Sequence, residues 1–266
     1  MDEFRLSYVI ERSLRRAKRA IFNARPHPQK IGLNRYGDTT YDIDIESEKI
    51  IFEEFKKTGE GFTIISEESG IKEVNGGGMK VVVDPLDGSN NAIKGIPFYS
   101  ISIAVSKGDW IADILASGII NVVNGDIIYS DSHNVFLNDR VEHPSNITEL
   151  GSALATIIPR LYNSDKPEFE YKLVKLLKQI KYPRFLGSAA MESAYVSIGL
   201  MDAFIELYPR LRVVDLAASL HMAKTSGIYV NLLNIEGELN LRSDRRISCV
   251  IAANNKLGES IIKILK

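Results

Sequence analysis

The sequence predicts an α/β fold of the layered α+β kind, in which helices alternate with an antiparallel N-terminal sheet and a smaller C-terminal sheet. Three observations carry that reading. Two helical patterns precede a run of short, β-branched strand patterns in the first half. Strand and helix patterns alternate in the second half. The composition, 45% hydrophobic and 25% charged over 266 residues, is that of a globular chain able to bury a sizeable core. The change of character falls near Pro144. Residues 1–144 are therefore read as an N-terminal α+β half with most candidate ligands, and residues 145–266 as a C-terminal α/β half that completes the site.

The elements follow in order. Ile10, Leu14, Ala17 and Ile21 recur at spacings of four, three and four, the stripe of an amphipathic helix. Arg12, Arg15, Arg16, Lys18 and Arg19 lie on its other faces and read as a solvated surface. Pro26 and Pro28 end the helix. A turn at 38–40 precedes a second helix over 45–57, which Gly59-Glu60-Gly61 stops. Residues 62–66 and 80–84 are short apolar strands rich in β-branched side chains. Asn75-Gly76-Gly77-Gly78 between them reads as a flexible hairpin connection. It is not a phosphate-binding P-loop, because no Gly-Lys-Ser/Thr and helix follow. Ile101, Ile103 and Val105 alternate with Ser102, Ala104 and Ser106, the period of a half-buried strand. Strand patterns continue over 110–123 and 125–129. In the second half, 153–158 reads as a strand. Phe169, Leu173, Leu176, Leu177 and Ile180 form a helical stripe. Residues 185–188 lead into a helix through 199, and 203–207, 215–225 and 248–252 read as strand, helix and strand.

Charge and cysteine content exclude several classes of function. Lys+Arg is 33 against Asp+Glu 34, so no electrostatic footprint for nucleic acid or an anionic membrane exists. No apolar run approaches the roughly 20 residues that span a bilayer. The charged N-terminus lacks the apolar core of a signal peptide, and a cytoplasmic protein is the expectation. Cys249 is the only cysteine, so neither an internal disulfide nor a structural zinc site can form around it.

Chemistry concentrates in Val81-Val82-Val83-Asp84-Pro85-Leu86-Asp87-Gly88-Ser89. An apolar strand ends in two carboxylates three residues apart, followed by a glycine and a hydroxyl. Pro85 cannot donate to a strand ladder, so a sharp turn is expected there. Gly88 permits an unusual backbone angle or a close approach. Both aspartates can then face one space with the Leu86 carbonyl between them, a donor set suited to a hard divalent cation. Two carboxylates so close repel each other unless a cation joins them. Ser89 and Asn90 are placed to begin a helix whose free N–H groups bind an anion. Further acids stand at similar places: Glu67 and Glu68 directly after a strand, and Asp44 and Asp215 at helix starts, where an N-cap role is the simplest reading.

These blocks resemble the lithium-sensitive, magnesium-dependent phosphatases that include inositol monophosphatase, fructose-1,6-bisphosphatase and 3′-phosphoadenosine 5′-phosphate phosphatase. Asp84 to Ser89 match the signature D-P-[IL]-D-G-[ST], and Glu67-Glu68 match its upstream Glu-Glu. Asp44 and Glu48 match a D-x-x-x-E element, Gly187-Ser188-Ala189-Ala190 a G-[ST]-A-A element, and Val214-Asp215-Leu216-Ala217-Ala218 meet the W-D-x-[AT]-[AG] element. Val214 stands where the family usually has tryptophan. Arg210-Leu211-Arg212-Val213-Val214-Asp215 resembles the archaeal branch, whose members often hydrolyse both inositol monophosphate and fructose 1,6-bisphosphate.

The resemblance implies a sugar-phosphatase α/β sandwich, a homodimer, and two or three Mg²⁺ ions. Glu67, Asp84, the Leu86 carbonyl and Ser89 would surround a first ion, and Asp84, Asp87 and Asp215 a second. Glu67 and Asp44 would favour a third. It also implies that Ser89, with Asp44 or Glu67, orients the attacking water. Gly88, Ser89, Asn90, Gly187 and Ser188 would cradle the phosphate, and Glu206 would contact substrate hydroxyls. Arg184 and Arg212 are candidates for a second phosphate, and Arg35 is the counterpart of a basic residue upstream of Asp44. The expected activity is hydrolysis of inositol 1-phosphate, fructose 1,6-bisphosphate or both. The alternatives are a 3′-phosphoadenosine 5′-phosphate phosphatase and a catalytically silent sugar-phosphate-binding protein.

Overall fold

Two sheets, each covered by helices on both faces, account for most of the chain. The structure is a computed structural model, and it describes residues 1–23, 28–34, 36–159 and 167–266. Pro26, His27 and Arg35 lie outside the described residues. In chain order the first half comprises α1 (Glu3–Asn23), β1 (Lys30–Leu33), β2 (Thr39–Tyr41), α2 (Asp42–Lys56), β3 (Phe62–Ser66), β4 (Gly70–Val74), β5 (Met79–Asp87), α3 (Ser89–Lys94), β6 (Ser100–Ser106), β7 (Ile114–Asn121), β8 (Ile127–Ser130), β9 (Val135–Leu137) and β10 (Arg140–Val141). The second half comprises β11 (Leu154–Ile157), α4 (Pro167–Leu177), β12 (Tyr182–Arg184), α5 (Ala189–Ser197), β13 (Ala203–Leu211), α6 (Val213–Ser226), β14 (Tyr229–Leu232), β15 (Ile247–Ala252) and α7 (Asn255–Leu265).

The larger sheet has the order β10-β9-β8-β7-β6-β5-β3-β4, and the smaller β12-β11-β13-β15-β14. The larger one is antiparallel, as the sequence predicts, except where β3 runs parallel to β5. That exception corrects the reading of the glycine-rich segment. β3 turns back into β4, a strand the sequence pattern hid, and the glycines then carry the chain from the sheet edge to β5 rather than closing a hairpin. Close backbone packing explains why glycines stand there: a Cβ on Gly61 would lie 1.9 Å from the Gly77 oxygen.

Helices α5 and α6 form a middle layer between the sheets. Ala190, Met191, Ala194, Leu216, Ala217 and Leu220 share one apolar cluster with Val82, Ala104 and Ile119 of the first sheet and Phe204, Cys249 and Ile251 of the second. α1 and α2 cover the outer face of the first sheet, and α4 and α7 that of the second. Both faces of β6 are therefore buried, its serines included. The alternation read as half-burial is instead a strand inside a layered core, whose Ser100 hydroxyl is hydrogen-bonded to that of Ser188.

The arginine-rich face of α1 is largely solvated, as expected, yet two of its arginines also serve a buried acid. Arg12 and Arg16 reach Glu54 of α2, whose side chain is 1% exposed, and Lys57 completes the group. Burial alone would raise the Glu54 carboxyl. The hydrogen bond from Lys57 and the charges of Arg12 and Arg16 outweigh it and hold it below the usual glutamate value. Such a group adds stability above its unfolded pKa, which is lost as pH falls through the lower folded value. Glu54→Gln should therefore cost about 1–3 kcal/mol near pH 7, moderated because the three cations are partly solvated. In urea titrations the difference from wild type should shrink towards zero below pH 4. A pH-independent difference would show that packing, not charge, is responsible.

Candidate active site

A cleft of about 880 Å³ opens where β5, the loop before α5 and the start of α6 meet. Asp84 and Asp87 both line it, although residues three apart on a regular strand point to opposite faces. The register shows how. Asp84 pairs with Ser102 and Asp87 with Ser100, so three steps on β5 match two on β6. One extra residue forms a bulge and turns both carboxylates to one side. Contrary to the sharp turn that the sequence predicts, Pro85 does not leave the strand. It sits within the bulge, where its carbonyl accepts the Ser47 hydroxyl of α2 at 2.7 Å. The Leu86 amide donates to Asp84 Oδ1 at 3.0 Å, and the Ser89 hydroxyl donates to the Leu86 carbonyl at 2.9 Å. Gly88 has φ +90°, and a Cβ there would come within 2.9 Å of the Gly187 oxygen. The two halves of the site touch at that point.

Asp44 and Asp215 are not N-caps. Each is the third residue of its helix, and its carboxylate reaches back to accept the amide of the preceding cap residue, Tyr41 or Arg212, at 2.7 Å. Glu67 follows β3, its amide bonded to the Val83 carbonyl. Ligand-competent oxygens of Glu67, Asp84 and Asp215 all lie within 4.8 Å of one another, and all three residues are buried. Asp87 is held beside them: its Oδ2 accepts the Ser188 hydroxyl at 2.6 Å and the Ala190 amide at 2.8 Å.

So many buried carboxylates cannot all ionise without cations. Burial raises Glu67 to about 8, against the opposing charge of Arg212. Burial raises Asp84 well above the usual range, and Glu67 and Asp87 push it the same way. Burial raises Asp87 to about 7, against the Ser188 hydrogen bond. Asp44 is likewise raised to about 7 by burial, and its Oδ1 is buried without a hydrogen-bond partner. Oxygen-only donors and the crowding of Glu67, Asp84 and Asp215 together fit a hard divalent cation.

Arg212 supplies positive charge to this group. Its guanidinium contacts Asp215 at 2.9 Å, Glu67 at 2.5 Å and Asp38 at 3.2 Å, and stacks on Tyr36. These acids hold its guanidinium up, although burial would lower it. The cleft also receives Ser89, Asn90, Gly88 and Gly187. Ser188 is buried behind it. Three other candidates are not brought to its lining, Asp44 of α2 among them. Arg184 is exposed on the edge strand β12, where it donates to its neighbour's carbonyl. Glu206 is fully buried in β13 beside Cys249, and its Oε1 accepts the Tyr208 amide at 2.9 Å. Sequence reasoning missed Asp38, Tyr208, Arg210, Arg246 and Glu192, all of which line the cleft. The arginines of 210–212 were visible as a cluster, and Glu192 as an acid in a first helical turn. Arg246 gave no local signal.

Comparison with known proteins agrees with this geometry. The model of the inositol monophosphatase family matches residues 5–266. A fructose-1,6-bisphosphatase/inositol-1-monophosphatase of Methanothermobacter thermautotrophicus is 35% identical, over 86% of this chain and 84% of the relative. The protein of the same description from Archaeoglobus fulgidus is 30% identical, over 100% and 98%. The crystal structure of the extragenic suppressor protein suhB from Bartonella henselae superimposes with a TM-score of 0.81 at 28% identity, covering 97% of both chains. With its layered sheets, its bulged Asp84–Asp87 strand end and a match over nearly its whole length, the chain belongs to the inositol monophosphatase family.

Proposed function

We propose that this chain is a Mg²⁺-dependent phosphomonoesterase acting on inositol 1-phosphate and fructose 1,6-bisphosphate. The observation that carries the reading is the convergence of Glu67, Asp84 and Asp215 beside Asp87 in a cleft wide enough for a sugar phosphate. Glu67, Asp84, the Leu86 carbonyl, Asp87 and Asp215 would hold two ions, and Asp44 would favour a third. Bound Mg²⁺ supplies charge neutralisation at the phosphoryl group and acidifies the attacking water. The chain's own residues do the positioning on which in-line phosphoryl transfer depends. The bulge fixes Asp84 against Asp87. The Gly88–Gly187 contact keeps room for a phosphate against backbone. Ser89, fixed on the Leu86 carbonyl, presents its hydroxyl oxygen as an acceptor that orients a water proton, with Asp44 or Glu67 as the neighbouring carboxylate. Ligand carboxylates that are protonated in the bare site must release their protons as ions bind.

The relatives named above suggest both substrates, and the cleft suggests how a second phosphate is met. Arg212 and Arg246 both pack against one ring, Tyr36, and line the cleft with Arg210. Arg212 is committed to three acids, so Arg246 takes the distal phosphate in this reading, and Arg184 takes no part. The homodimer and the cytoplasmic location belong to the same reading. Segment 110–129, apolar in composition, is the first candidate for a dimer contact, but Ile114, Ile119, Ile120, Ile127 and Ile128 are core residues and Trp110 is exposed. Among the described residues no helix is long and apolar enough to cross a membrane.

Three measurements follow. Asp84→Asn should keep the circular-dichroism spectrum while phosphate release falls at least about a hundredfold, since even outer-shell changes cost up to that much. Near-normal turnover at saturating Mg²⁺ would refute the assignment. Arg246→Ala should raise KM for fructose 1,6-bisphosphate about tenfold, the loss of one charge-assisted hydrogen bond, while changing KM for inositol 1-phosphate little. Equal losses on both substrates would remove the distal role. Arg212→Gln should destabilise the metal-free protein by about 3–5 kcal/mol, because it strips the cation from buried acids. Saturating Mg²⁺ should restore most of that loss in a denaturation experiment, and no restoration would show that Arg212 and the ions do not share ligands.

A further inference from the structure

We propose that Glu192 is a positioning residue that sets the loop over 186–188 and, through it, the orientation in which Asp87 meets a metal ion. The proposal rests on the Mg²⁺ reading above. Glu192 lies in the first turn of α5 with no exposed surface. Its Oε1 accepts the Leu186 amide at 2.9 Å and the Thr156 hydroxyl at 2.9 Å. Its Oε2 accepts the Gly187 amide at 3.0 Å and the Ser188 amide at 3.3 Å. Three successive amides thus wrap one internal carboxylate, in the way backbone concavities usually wrap a bound anion.

The wrapped loop touches the Asp87–Gly88 strand end at several points. The Ser188 hydroxyl and the Ala190 amide both donate to Asp87 Oδ2. The Leu186 carbonyl accepts Asn91 Nδ2 at 2.6 Å, and the Gly187 carbonyl lies where a Cβ of Gly88 would stand. Directing both donors to one oxygen fixes the rotation of the Asp87 carboxylate and turns Oδ1 the other way. Outer-shell partners of this kind orient metal ligands and tune their affinity. Packing volume alone does not account for the arrangement. A glutamine of the same shape offers one acceptor oxygen and an NH₂ donor, so at least one loop amide would face a donor.

The test titrates Mg²⁺ alone into wild type, Glu192→Gln, Ser188→Ala and the double variant by calorimetry, with thermal unfolding of each in chelator as the control for folding. Glu192→Gln should weaken Mg²⁺ binding about tenfold or more, and Ser188→Ala should weaken it comparably. The double variant should lose less than the product of the two, because both act through Asp87. If Glu192→Gln does not unfold cooperatively, Glu192→Asp takes its place. It keeps the charge but draws the oxygens away from the loop, and the same loss is expected. A lowered midpoint with a Mg²⁺ isotherm like that of wild type would overturn the inference and leave the function standing, as would independent, multiplying losses. Failure of wild type to bind Mg²⁺ would overturn both.

Discussion

The organising constraint in this molecule is mutual repulsion among carboxylates that the fold forces together in a buried cleft. Glu67, Asp84, Asp87 and Asp215 come from a strand terminus, a bulge and a helix start, and burial raises the first three above their ordinary range. A chain that merely wanted stability would place apolar side chains there. Each neighbouring feature answers that repulsion. Arg212 lends a guanidinium, Ser188 and Ala190 pin one oxygen of Asp87, and the Leu86 amide pins one of Asp84. What they leave open is space for external cations.

Much of this was legible in the sequence because it is local. A triple valine followed by Asp-Pro-Leu-Asp-Gly-Ser announces a strand end with oxygen donors, and a residue-by-residue resemblance extends that to Glu67, Asp44 and Asp215. The limits were also physical. β4 carries Gly70, Lys72 and Glu73, so its composition hides a strand that the register with β3 makes plain. Periodicity reports one exposed face, and β6 has none, because α5 and α6 cover the face that alternation assigned to water. Charge runs are read as solvated, and nothing local in α1 announces that Glu54 will be buried 38 residues beyond Arg16. Arg246 reaches Tyr36, and Glu192 reaches Thr156, across the fold, where spacing carries no information.

The middle layer ties stability to the site. α6 is buried on nearly all sides between two sheets, and it bears Asp215 in its first turn. α5 bears Glu192 in the same way. Neither helix can shift far without opening an apolar cluster that both sheets share. The placement of Asp215 and Glu192 is therefore held by the core itself, which favours precise placement over adaptation.

The bulge in β5 has a counterpart in chain length. Side-chain replacement at Pro85 or Leu86 alters volume or a carbonyl's setting, but the count of residues between Asp84 and Asp87 decides whether the strand bulges at all. Removing one residue would restore the regular strand period over this stretch. Both aspartates would still look to one face, now two residues apart, but the bulge that offers its carbonyl to Ser47 and stands between the two acids would be gone. The site is thus written partly in spacing, and an insertion or deletion in this strand changes it in a way that no substitution does.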